Sequence, residues 1–198
     1  INADVSKLAF ASSIYASGRK GGLYGASKRS GEAFLMEMLR AEKCVTKLLI
    51  LRFGSLYGPR AGASNGVSKM LNRALKTGVL QANGPLDASR EYIHIRDAAS
   101  ASIDLMCSPE SPLIVNLTGP ARLSAKDILL LIREVFQIEQ DNFCEPEAYS
   151  DENYLYTGVG SEVLLVKNYS PDFYIDIADG LKELAIDLGL ERCSARSS

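Results

Sequence analysis

The sequence predicts an α/β fold, with part of a parallel sheet followed by a small, mainly helical C-terminal region, and three features carry that expectation. Residues 7–12 and 47–51 are short apolar runs without polar alternation, the pattern of strands covered on both faces in a parallel sheet. Between them lies one long helical pattern, and strand–helix–strand order is what a parallel α/β unit requires. Beyond residue 59 the chain changes to Gly-, Ser- and Asn-rich loops alternating with further helical patterns.

The elements follow in order. The first strand ends in Phe10-Ala11-Ser12-Ser13, an apolar segment opening onto hydroxyls. Gly18, Gly21, Gly22 and Gly25 then read as a flexible crossover, since their spacing is not that of a phosphate-binding loop. Residues 23–43 form a long helix whose apolar positions, Ala26, Ala33, Phe34, Met36, Met38 and Leu39, spread over more than one face, so it needs a second packing partner. After the 47–51 strand come a helix over 66–76, a turn at Gly78 and a loop around Asn83-Gly84-Pro85. Residues 91–95 read as a strand, and Asp97 as the N-cap of a helix that Ser108-Pro109 ends. Residues 113–117 and 163–166 are further short strands. Ser124-Ala125-Lys126-Asp127 resembles a capping box ahead of an apolar helix to Phe136, and a final helix over 176–188 stops at Gly189.

Composition narrows the function. At 198 residues the chain can bury a sizeable core, and its net charge of −2 with no basic stripe argues against nucleic acid as a partner. Cys44, Cys107, Cys144 and Cys193 lie far apart with no C-x-x-C spacing, so neither a zinc site nor a disulfide scaffold is expected, and a reducing cytoplasm is the expected setting. No His/Asp/Glu cluster has metal-ligand character. No apolar run approaches the ~18 residues of a membrane span.

The stretch Tyr24-Gly25-Ala26-Ser27-Lys28 places a phenol and an ammonium one helical turn apart on a shared face, with Cβ atoms about 6 Å apart. A phenol is protonated at neutral pH and becomes a base only where something stabilises its anion, which a neighbouring cation does. Upstream, a serine of the Ser12-Ser13 pair could orient the phenol and a substrate oxygen.

Serine, tyrosine and lysine in this order resemble the catalytic set of the short-chain dehydrogenase/reductase superfamily. Two later segments, Leu51-Arg52-Phe53-Gly54-Ser55-Leu56-Tyr57-Gly58-Pro59-Arg60 and Arg90-Glu91-Tyr92-Ile93-His94-Ile95-Arg96-Asp97, resemble its extended branch, the NAD-dependent nucleotide-sugar epimerases and dehydratases. The resemblance implies a partial Rossmann-like sheet. It places the C-terminal part of a Rossmann-like NAD-binding domain at 1–58, and a mixed region with the substrate-binding subdomain and returning Rossmann elements at 59–198. It implies Ser13, Tyr24 and Lys28 as catalytic residues, Tyr24 and Lys28 also as cofactor contacts, and NAD, or NADP, as cofactor. Phe53 would lie near the nicotinamide or in the core. Ser55, Arg60 and Arg90 would face a nucleotide-sugar substrate, Arg90 against the diphosphate, while Arg60 has a second reading as a stabiliser of its own loop.

Several departures bear on the chemistry. Dehydratases of this family carry an Asp-Glu pair directly after the catalytic hydroxyl residue; here those positions are Ile14 and Tyr15, neither able to transfer a proton as a carboxyl group does, which favours epimerase or ketoreductase chemistry. Ser55 stands where many epimerases have asparagine, and His94, the only histidine, is read as packed rather than catalytic. A catalytically silent dinucleotide-binding or scaffold module of the same fold is the alternative. The family's glycine-rich pyrophosphate turn has no counterpart here, so the chain reads as the C-terminal two-thirds of such an enzyme, expected to bind dinucleotide poorly and to be incompletely stable by itself. The 23–43 helix is expected either to pair with its copy in a homodimer or to pack against the preceding half of the subunit.

Overall fold

Apolar segments that do not alternate must be covered on both faces, and the chain meets that requirement with a parallel sheet between helices. The computed structural model describes residues 5–18, 21–41, 46–110, 113–148 and 166–190. In chain order its strands are β1 (Lys7–Ser13), β2 (Lys47–Phe53), β3 (Ser55–Tyr57), β4 (Leu80–Gln81), β5 (Ser89–His94), β6 (Ile114–Leu117), β7 (Arg122–Ser124), β8 (Phe143–Cys144) and β9 (Val166–Tyr169). The helices are α1 (Gly22–Ala41), α2 (Gly66–Thr77), α3 (Ile95–Cys107), α4 (Ala125–Phe136) and α5 (Ile177–Asp187).

The main sheet has the order β1-β2-β6-β9, parallel throughout. β1 and β2 pair from Lys7 opposite Lys47 to Ser13 opposite Phe53, so the two apolar runs are neighbours as their composition predicts. On one face, Leu48, Ile50 and Ile114 meet Leu35, Met36 and Leu39 of α1. On the other, Leu49, Leu51, Val115 and Leu117 meet Ala98, Ala101 and Leu105 of α3. Full burial of each such aliphatic side chain is worth about 1.5–3 kcal/mol. The sheet is therefore a two-sided core that either helix alone would leave half covered.

A third apolar cluster joins α2, α4 and α5 through Leu71, Ile128, Leu129, Ile132, Leu181 and Leu184, which makes the C-terminal region mainly helical. Two small sheets edge it. β3 runs parallel to β5, which pairs antiparallel with β7, and β4 runs parallel to β8. Of these, only β5 matches an expected strand; β3, β4, β7 and β8, at two or three residues each, carry too little pattern to be read from sequence.

Helix ends follow local chemistry. Asn65 caps α2 by accepting from the N–H groups of Val67 and Ser68, and Gly78 closes it in the left-handed region. Ser124 and Asp127 form the expected capping box of α4, and Asp176 caps α5.

Some boundaries differ from expectation, and β5 ends at His94 where the expected strand reaches residue 95. α3 begins at Ile95 with His94 as its cap, accepting at Nδ1 from the Arg96 N–H at 3.4 Å. Asp97 instead lies in the first turn and accepts from the Ile175 N–H at 3.0 Å, so its carboxylate serves a segment 78 residues away. The late strand runs Val166–Tyr169, with residues 163–165 of the expected strand outside the described ones. On α1, Leu23 and Phe34 remain 89% and 67% exposed, the second apolar face anticipated for this helix.

Candidate active site

Parallel strands deliver their C-terminal ends to one edge of the sheet, where α/β folds place ligands. β1 and β2 end there at Ser13 and Phe53, and their ends open onto a cleft of about 660 Å³. Ser13, Tyr24, Lys28, Phe53, Ser55 and Arg90 all line it. Residues up to 77 positions apart in sequence are thus gathered around one space by sheet register and by the crossover into α1.

That crossover is tight. Ser13 caps a single 3-10 turn, Ile14–Ser17, by accepting from the Tyr15 N–H at 3.3 Å. Gly21 and Gly22 then take φ of +108° and +52°, and a Cβ on Gly21 would lie 2.9 Å from Tyr15 Cβ. Only residues without a side chain make this entry cheaply, so the glycines shape the turn that brings Tyr24 back over the end of β1.

Tyr24 is half exposed, its ring edge-on to Tyr15 with centroids 6.4 Å apart. Lys28 Nζ lies 5.7 Å from the centre of the Tyr24 ring and donates to the Ala11 carbonyl at 2.9 Å. One of the ammonium's three donors is therefore engaged by β1 itself, which holds the cation beside the phenol. Ser13 and Ser12 are both buried, but they differ in partners: the Ser12 hydroxyl donates to the Glu32 carboxylate.

The charge pattern is one-sided. Among the described residues, Lys28, Lys69 and Arg90 line the cleft and no carboxylate does, so the field favours an anionic ligand. Lys69 escaped the sequence reading; its signal was its place one turn into α2, directly after the Asn65 cap. Asn65 also lines the cleft, but its Oδ1 caps α2 and its Nδ2 donates to the Leu56 carbonyl at 2.8 Å.

Arg60 is not among the lining residues. It is exposed with φ of +61°, and its backbone N–H donates to Asp187 at 2.7 Å, a contact that does not involve the guanidinium. His94 is buried at the end of β5, opposite and edge-on to Tyr57 of β3, with Nε2 3.5 Å from Glu183. Burial lowers its imidazole below the ordinary range, outweighing the opposite pull of Glu183. Its Nδ1 is occupied with capping α3, in keeping with a packed role.

Among the described residues no group of His, Cys, Asp and Glu could hold a metal ion, and no helix is long and apolar enough to cross a membrane. Cys107 and Cys144 are free thiols; the other two cysteines lie outside the described residues.

Comparison with known proteins agrees with this architecture. The model of the NAD dependent epimerase/dehydratase family matches residues 5–117. Among solved structures, UDP-glucuronic acid 4-epimerase from Bacillus cereus, in complex with UDP-glucuronic acid and NAD, superposes with a TM-score of 0.76 at 19% identity. That match covers 95% of this chain and 63% of the epimerase. An NAD-dependent NDP-hexosamine 5,6-dehydratase involved in tunicamycin biosynthesis gives 0.74 at 18% identity, covering 96% of this chain and 65% of the other. UDP-glucose 4-epimerase from Thermotoga maritima, with UDP-glucose, gives 0.72 at 18% identity, covering 94% and 64%. At these identities the likeness establishes the fold, a Rossmann-like α/β arrangement. The chain thus spans somewhat under two thirds of the length of each of these structures. No curated protein matches it significantly.

Proposed function

Since the chain belongs to the NAD dependent epimerase/dehydratase family, we propose that the protein carrying it is an NAD(P)-dependent epimerase, or a related ketoreductase, acting on a nucleotide-activated sugar through a keto intermediate. The observation that carries this reading is one cleft lined by Ser13, Tyr24, Lys28, Lys69 and Arg90, with no carboxylate among its described lining residues.

In this mechanism Ser13 holds a sugar hydroxyl, and Tyr24 takes its proton as the carbon is oxidised and returns it when the keto group is reduced. Lys28, fixed by Ala11, stabilises the phenolate and directs its remaining donors at the cofactor ribose. The residues fit a dinucleotide: Tyr24, Lys28 and Phe53 stand at the carboxyl edge of a parallel sheet, where this fold receives nucleotides. When bound, NAD supplies the acceptor and donor of the hydride. Arg90 and Lys69 take the substrate diphosphate, Arg90 through a planar fork suited to phosphate oxygens. Ser55 offers the sugar a hydroxyl where many relatives offer an amide.

Epimerase or reductase chemistry is preferred over dehydration because the two positions after Ser13 hold a buried Ile14 and the phenol of Tyr15, neither a carboxyl acid or base. The same reading assigns 1–58 to the nucleotide-binding domain and 59–198 to the mixed substrate-side region, and pairs the exposed face of α1 with a second copy in a homodimer. A cytoplasmic setting and a role in polysaccharide biosynthesis belong to this proposal.

Full-length protein containing this chain would be incubated with UDP-, GDP- and dTDP-sugars while epimer formation and transient NADH absorbance are followed. Turnover abolished by Tyr24→Phe supports the reading. Sugar-nucleotide binding without turnover across the panel, unaltered by Tyr24→Phe, would replace it with a catalytically silent module.

A further inference from the structure

Beside the cleft, and reaching its lining at Ser12, lies a buried polar group that the proposed chemistry does not use. Glu32 and Arg52 are 3% and 4% exposed, and they form a two-pronged ion pair: Arg52 Nε donates to Oε1 at 3.0 Å and an Arg52 terminal nitrogen to Oε2 at 2.6 Å. The Ser12 hydroxyl, equally buried, adds a third donation to Oε1. A carboxylate and a guanidinium removed from water lose their hydration, and replacing such a pair by apolar residues is often neutral or stabilising. Stability is therefore a poor reason for its presence. Its position supplies a better one.

Glu32 is on α1 one turn beyond Lys28 and two beyond Tyr24, on the same face of the helix. Ser12 and Arg52 stand opposite each other in the β1–β2 register, one residue before Ser13 and Phe53. The three side chains thus tie the helix bearing Tyr24 and Lys28 to the two strand ends bearing Ser13 and Phe53. Apolar packing around them is less specific: Leu35, Met36 and Leu39 meet Leu48 and Ile50 through burial, which carries no bond direction of its own. A bidentate carboxylate–guanidinium pair has direction and admits one geometry.

We propose that Ser12, Glu32 and Arg52 are positioning residues, which set the rotation and axial register of α1 on β1 and β2 so that Tyr24 and Lys28 meet the substrate oxygen held by Ser13. This rests on the proton-transfer roles given above. Ser12 also lines the cleft, but its hydroxyl donates to Glu32, so in this proposal it acts through that carboxylate. Misplacement of a reacting group by about 1 Å is enough to cost ~10²-fold in rate, so a network that only fixes a helix register can control turnover.

The test uses full-length protein containing this chain and the double variant Glu32→Gln/Arg52→Gln, which removes both charges together and so leaves neither buried alone. With substrate, kcat is expected to fall at least about tenfold while KM stays within about twofold, because ground-state contacts are untouched. Ser12→Ala, a milder change suited to the case where the double variant does not fold, is expected to lower kcat severalfold with the same split. A crystal structure of either variant reads the same question without turnover: displacement of Tyr24 and Lys28 relative to Ser13 supports the proposal. An unmoved helix, or kcat within about twofold of the parent, overturns it. Tyr24→Phe in parallel separates the two ideas: if it leaves turnover intact, the Ser/Tyr/Lys reading fails, whereas loss of turnover in Tyr24→Phe beside unchanged network variants sinks the positioning role alone.

Discussion

The ammonium of Lys28 donates to the carbonyl of Ala11 at 2.9 Å, joining the helix that carries the candidate acid/base to the strand that ends in the candidate serine. The contact spans 17 residues and crosses the glycine turn, so it depends on the turn geometry as well as on the lysine. An arginine could not reproduce it, since a planar fork replaces a compact point donor.

Tyr24→Phe is expected to lower kcat about 10²–10⁴-fold, the usual share of a general acid/base, with the thermal transition of the protein unchanged. Half exposure of the ring means that loss of the hydroxyl leaves no buried group unsatisfied. Steady-state kinetics beside a melting curve would check both parts, and full activity in the variant would remove Tyr24 from the mechanism.

Stability should fall as pH drops below about 6.5, through His94. Burial lowers its folded-state pKa below the unfolded value of 6.5, so between those two values the unfolded chain binds more protons than the folded one, and acidification favours unfolding. His94 is the only histidine in the chain, which makes the effect assignable. Urea unfolding at pH 7.5 and 5.5 should show a midpoint drop that shrinks in His94→Asn, a variant that keeps a capping side chain at the start of α3.

Ser124→Ala should cost about 0.5–2 kcal/mol by removing the N-cap of α4. The Ser124 hydroxyl and N–H also hold the Asp127 carboxyl below its usual range. A depressed carboxylate contributes stability above its unfolded pKa and loses it as pH falls through the folded one, so the acid limb of the stability profile should flatten in the variant. Chemical denaturation from pH 3 to 7 would compare the two chains.

Gly119→Ala should destabilise severely, by about 3 kcal/mol or more, because a Cβ there would sit 1.6 Å from the Tyr92 carbonyl oxygen, a backbone atom that cannot swing aside. Gly62→Ala is the control, with its nearest neighbour 4.0 Å away on a serine side chain. Equal midpoints for the two variants would mean that β5 and the end of β6 do not approach as closely as described.

Local chemistry was legible without the structure wherever neighbours in sequence decide it. The apolar runs that became β1 and β2, the Ser124–Asp127 capping box and the i, i+4 placement of Tyr24 and Lys28 follow from periodicity, caps and helical spacing, which are properties of a few adjacent residues. Three-dimensional proximity decided the rest. Ser12 and Ser13 are indistinguishable by composition, and only the fold gives them different partners, the Glu32 carboxylate for Ser12 and the Tyr15 N–H for Ser13. Asp97 carries the signature of a cap, yet its carboxylate is drawn to Ile175 while His94 caps α3. Arg60 follows a motif associated with substrate but is held by Asp187 outside the cleft lining. Lys69 joins Lys28 and Arg90 only because the start of α2 lines the same cleft as the ends of β1 and β2. A hydrogen bond or a shared field is set by distance in space, and residues 20 to 127 positions apart acquire that distance only when register, crossover and helix packing are all in place.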